Sequence, residues 1–156
     1  FCVIEDNLFE DCSSLTKIVI TSMISEIGKN AFKGCKSLSK IELLNSVISI
    51  GDAAFYGCEE LKEAVIPSSI NSIGNFTFAG CTSLKCFKVP SSVKQIGFRA
   101  FKGCTGLKMV KIPDSVNYIS DLAFEDCTAL EKVSVPSSIT FMADNAFPST
   151  TTVIKT

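Results

Sequence analysis

Phenylalanine recurs at Phe9, Phe32, Phe55, Phe78, Phe101, Phe124 and Phe147, and every step is 23 residues. A second column keeps the same period at Cys12, Cys35, Cys58, Cys81, Cys104 and Cys127. A third does so at Leu15, Leu38, Leu61, Leu84, Leu107 and Leu130. Isoleucine runs through Ile4, Ile27, Ile50, Ile73, Ile96 and Ile119, and Met142 closes its column. The unit reads I-G-x-x-A-F-x-G-C-x-S-L-x-x-I-x-I-P-x-S-V-x-x, in six full copies and part of a seventh, without insertions. Columns that stay in phase this long mean a stacked repeat, because one 23-residue coil cannot bury its own apolar face.

Within a unit, Leu61-x-x-Ala64-x-Ile66 carries the L-x-x-L-x-L strand pattern of a leucine-rich repeat. Residues alternate in and out there, and Pro67 ends the strand by removing a ladder donor. The stretch around the Phe is too short for a long helix and reads as a turn or a single helical turn. Gly34, Gly57, Gly80 and Gly103 suit a left-handed exit from it, with Asp11 and Asp126 in their place in two copies. The fold class expected is a repeat solenoid: a short right-handed leucine-rich-repeat arc over residues 1–156. A parallel β-sheet lines its concave side and turns line the convex side. Roughly seven coils at ~5 Å give an arc of about 35 Å.

The unit resembles the BspA-type (Treponema-type) leucine-rich repeat, a 23-residue class, over essentially the whole chain. The resemblance implies a cell-surface or secreted protein that adheres to host proteins or other cells, and no enzyme activity. Every matching residue belongs to the scaffold, so no functional residue carries over.

Departures from the pattern are informative. In the last copy Ile becomes Met142, Gly becomes Ala143 and Cys becomes Thr150, while Val153 falls on the leucine column. This polar drift suggests a capping coil over 140–156. The chain enters the pattern mid-unit at Cys2-Val3-Ile4, which suggests truncation, and an uncapped apolar coil there would favour weak end-to-end self-association.

Composition narrows the chemistry. With no histidine, His-based triads and His-containing zinc sites are excluded. No C-x-x-C pair, phosphate loop or nucleophile elbow is present, so no cofactor, metal or catalytic residue is expected. Six of the eight cysteines share one column and read as buried free thiols filling the core. The net charge of -1 does not suit a nucleic-acid partner. No apolar run is long enough to span a bilayer.

Charge is nonetheless uneven: residues 1–63 and 114–156 each sum to -4, whereas 64–113 hold seven basic side chains and no acid. The strand positions two and four after each Leu vary freely and should face outward. A step of 23 brings Lys85, Lys88, Lys108 and Lys111 together on two adjacent strands, beside Cys86 and Met109. These six are the candidate partner-binding residues. Four like charges in one patch suit an acidic protein surface or an anionic glycan. An intracellular scaffold or self-assembly module is the alternative, since unpaired thiols suit a reducing compartment. Asn75-Phe76-Thr77 is a glycosylation sequon whose Thr falls in a buried column.

Overall fold

The computed structural model describes residues 1–156, the whole sequence, as a parallel-strand solenoid of about seven turns with no helix. Its strands, numbered in chain order, fall into two rows. The isoleucine column forms the row of short strands: β1 (Cys2–Ile4), β2 (Ile24–Ile27), β4 (Ser49–Ile50), β6 (Ser72–Ile73), β8 (Gln95–Ile96), β10 (Tyr118–Ile119) and β12 (Phe141–Met142). The residues after each Leu form the second row: β3 (Lys40–Glu42), β5 (Glu63–Val65), β7 (Cys86–Lys88), β9 (Met109–Lys111), β11 (Lys132–Val135) and β13 (Thr152–Lys155). Within the rows the pairings are parallel, with equivalent residues facing each other, as in Ile73 against Ile96 and Ile119 against Met142.

The core is made of like-on-like files. Phe32, Phe55, Phe78, Phe101 and Phe124 are fully buried. Consecutive rings from Phe9 to Phe147 stack with centroids 4.7–5.5 Å apart. Each buried ring contributes about 2–3 kcal/mol through area alone. The thiols of Cys35, Cys58, Cys81, Cys104 and Cys127 are buried, and each donates to the carbonyl of the Phe 26 residues earlier at 3.1–3.3 Å. Cys12 departs from the expected column of buried thiols. It is exposed.

The Phe-bearing segments are turns, tied to the next coil by bonds such as Phe78 N–H to Ala100 C=O at 2.8 Å. Gly57, Gly80 and Gly103 adopt φ of 70–74°, and Asp11 and Asp126 adopt 57° and 59° in the equivalent position. A side chain in this region costs roughly 1 kcal/mol against glycine. Asp126→Gly is therefore expected to stabilise the fold by about 0.5–1 kcal/mol. A urea midpoint that falls in this variant would contradict the reading. A second left-handed position recurs four residues before these, at Asn7, Asn30, Ala53, Phe76, Arg99 and Leu122, with φ of 52–60°.

One further expectation needs correction. Val153 does not occupy the leucine column: it pairs with Val133, and Thr152 pairs with Lys132. The last turn runs six residues from Phe147 to Val153, where the preceding coil runs nine from Phe124 to Val133. The coil has lost three residues between its Phe and its strand, so the column count slips. Within the parallel arrangement that the repeat predicts, the longer strands join in twos, as β3–β5, β7–β9 and β11–β13.

Candidate functional site

The outward positions of the longer strands are exposed, as strand alternation requires: Lys40 and Glu42, Glu63 and Val65, Cys86 and Lys88, Met109 and Lys111, Lys132 and Ser134. The residues between them point inward, with Ile41, Phe87, Val110 and Val133 buried. Phe87 packs edgewise on Phe101 at 4.9 Å, which anchors the middle of this face to the phenylalanine file.

The six candidate residues are brought together on the β7–β9 pair. Cys86 lies opposite Met109, and Lys88 lies opposite Lys111. Lys85 and Lys108 stand just before these strands, where the Lys108 N–H donates to the Lys85 carbonyl at 2.9 Å. All six side chains are exposed. None of the four lysines has an acidic group within ion-pair distance.

The rest of the basic block behaves differently. Arg99 and Lys102 lie on the turn side, and both pair with Glu125, at 2.8 and 3.0 Å. The hydrogen bond from Lys102 holds the Glu125 carboxyl below its usual range, with the Arg99 charge adding to the effect against partial burial. On the neighbouring strand pair, Lys40 meets Glu42 at 3.7 Å and Glu63 at 3.3 Å. Lys62, just before β5, and Lys132, on β11, are likewise exposed and without an ion pair, so unpaired lysines run from β5 across β7–β9 to β11.

Three seams interrupt this face, and each has a groove over it. The first groove lies between Lys17–Ile20 and β3, has a volume of about 580 Å³, and is bordered by the ion-paired Lys40. The second, about 510 Å³, opens where β5 fails to pair with β7; it holds Val65, Val89 and Pro90, with Lys88 and Lys111 at its border. The third, about 740 Å³, lies between β9 and β11 and includes Met109, Lys111, Pro113 and Asp114. Sequence reasoning missed these seams, because each coil carries the same strand pattern and nothing in the repeat marks alternate junctions.

Elsewhere, the sequon is engaged in the scaffold. Thr77 is 1% exposed and its hydroxyl donates to the Gly74 carbonyl at 2.9 Å, while the Asn75 side chain accepts from the Phe98 N–H at 2.9 Å. No helix is long and apolar enough to cross a membrane.

The sequence matches the model of the BspA type leucine rich repeat region in six copies, over residues 3–130 and 81–155. Among solved structures, a leucine-rich repeat protein from Bacteroides ovatus is 28% identical with a TM-score of 0.84, over 98% of this chain and 43% of that one. A T. pallidum leucine-rich repeat protein is 34% identical with a TM-score of 0.79, over 94% of this chain and 72% of its own. A leucine-rich cell surface protein from Faecalibacterium prausnitzii is 39% identical with a TM-score of 0.70, over 71% of this chain and 29% of that one. The chain therefore spans less than half the length of the B. ovatus and F. prausnitzii proteins. No curated protein matches the sequence.

Proposed function

Because this chain belongs to the BspA-type leucine-rich repeat family, we propose that it is a non-enzymatic binding module whose longer-strand face engages an acidic protein surface or an anionic glycan. The observation that carries this reading is the β7–β9 pair. Its register sets Lys88 against Lys111, with Lys85 and Lys108 beside them, and leaves all four without an acidic partner. Like charges held side by side in a sheet are unfavourable until a counter-charge meets them, so the patch favours an anionic ligand. A role in adhesion at the cell surface is supported by the F. prausnitzii relative, which is named a cell surface protein.

The double variant Lys88→Glu, Lys111→Glu tests this directly. Binding to heparin-derived oligosaccharides and to acidic proteins is expected to weaken more than tenfold, as is wild-type binding when salt rises from about 0.05 M to about 0.5 M. Affinities unchanged by both the reversal and the salt would refute the reading. A second reading, an intracellular scaffold, is favoured by one observation: all eight cysteines are free thiols, which suits a reducing compartment.

A further inference from the structure

One junction between successive coils lacks the strand ladder in both rows. The short row breaks once, between β4 and β6, and the longer row breaks at the same place, between β5 and β7. Every other junction keeps at least one ladder: β1–β2, then β2–β4 with β3–β5, β6–β8 with β7–β9, β8–β10, and β10–β12 with β11–β13.

Bonds just outside the ladders fail there too. Gly28, Gly51, Gly97, Ser120 and Ala143 each donate an N–H to the isoleucine of the preceding coil, at 2.7–3.0 Å. Gly74, in the same column, makes no such bond to Ile50. Lys62 and Lys108 donate to the Ser39 and Lys85 carbonyls at 2.9 Å, but Lys85 does not donate to Lys62. The backbone bonds that remain run from Ala53 to Asn75, Phe55 to Thr77, Gly57 to Ala79 and Ser83 to Glu59, on the turn side, where Phe55 stacks on Phe78 at 5.5 Å. At the opposite corner, where the two strand rows meet, one side chain crosses the junction: the Ser69 hydroxyl donates to the Val47 carbonyl at 2.5 Å. Ser92 makes the same bond to Ile70 one coil later, but between coils whose ladders are both intact.

In a stacked repeat each coil touches only its neighbours, so cooperativity passes through the interfaces and the array divides where an interface is weakest. We propose that this junction divides the solenoid into two cooperative units, residues 1–66 and 67–156, which open independently and are latched by Ser69. The groove of about 510 Å³ between β5 and β7 lies over the division, with Val65 on one unit and Lys88 on the other, so parting of the units widens it.

Native-state hydrogen exchange of the whole chain, followed amide by amide in low urea, reads the division. The Ile48 and Gly51 amides, bonded to Ser25 and Ile27, report the first unit, and those of Lys94 and Gly97, bonded to Asn71 and Ile73, report the second. Two separate exchange isotherms are expected, with the first unit, of three coils against four, roughly tenfold faster. Ser69→Ala removes a bond at the junction and should speed both pairs of amides roughly fivefold. Ser92→Ala removes a like bond inside the second unit and should speed Lys94 and Gly97 by about the same factor while leaving Ile48 and Gly51 unchanged. A single isotherm for all four amides overturns the proposal. So does a Ser92→Ala effect as large at Gly51 as at Gly97, or an unchanged Gly51 in Ser69→Ala.

Discussion

In mild alkali this protein is expected to unfold, and the file of buried thiols is the cause. Burial pushes the Cys35 thiol from 9.0 up to about 11. Burial raises Cys58 and Cys81 further, with neighbouring thiols adding to the effect at Cys58. Cys104 is raised first by the neighbouring Cys127 thiol and then by burial. In the unfolded chain these groups lose their protons near the ordinary thiol value. Above about pH 9 the unfolded state therefore binds fewer protons than the folded one, and stability falls as pH rises. Each such thiol removes about 1.4 kcal/mol per pH unit. Cys58, Cys81 and Cys104 together remove about 4 kcal/mol per unit, and Cys35 adds to this until its own folded value near 11 is reached. One and a half units of this slope, about 6 kcal/mol, matches the whole stability of many domains.

Urea unfolding under reducing conditions at a series of pH values from about 8 to about 10.5 measures the slope. The Cys81→Ala variant is less stable at neutral pH but should lose about 1.4 kcal/mol less per unit in the alkaline arm. A wild-type stability that stays flat across this range would rule out thiol burial as the determinant.

The second large effect concerns the phenylalanine file. Phe78 has no exposed surface, stacks on Phe55 and Phe101 at 5.5 Å each, and meets Phe87 at 5.0 Å. Phe78→Ala should cost about 3–5 kcal/mol, since stacked coils are held on both sides and cannot collapse into the cavity. Phe147 stacks on one side only and is half-buried. Phe147→Ala should cost roughly half as much, because part of its surface is already wet. Chemical denaturation of the two variants side by side checks the ratio, and equal costs would mean that the file does not act as a continuous stack.

How much of this was legible beforehand depends on how each feature is encoded. The phenylalanine, cysteine and leucine columns are chemically monotonous, so their burial in the inner coils followed from period alone, while Cys12, Phe9, Leu15 and Phe147 in the end coils are exposed or only partly buried. The alternation around Lys88 and Lys111 was readable for the same reason, and it placed the candidate lysines on paired strands. Strands of two residues, such as Ser72–Ile73, are too short for alternation to show, so the row of short strands along the isoleucine column went unseen. The left-handed column at Asn30, Ala53, Phe76 and Arg99 carries four different side chains, because backbone bonds to the next coil hold the conformation whatever the residue. Val153 was misplaced because counting residues cannot detect a three-residue deletion that leaves another apolar residue in phase.

The joining of longer strands in twos leaves the open face uneven although the core is uniform: backbone bonds tie β3 to β5, β7 to β9 and β11 to β13, while the junctions between these pairs lack them. The turn side carries its bonds from coil to coil without such breaks, as from Phe55 to Thr77, Phe78 to Ala100 and Phe101 to Ala123. Cohesion along the axis therefore rests on the turns and the ring file more than on the sheet.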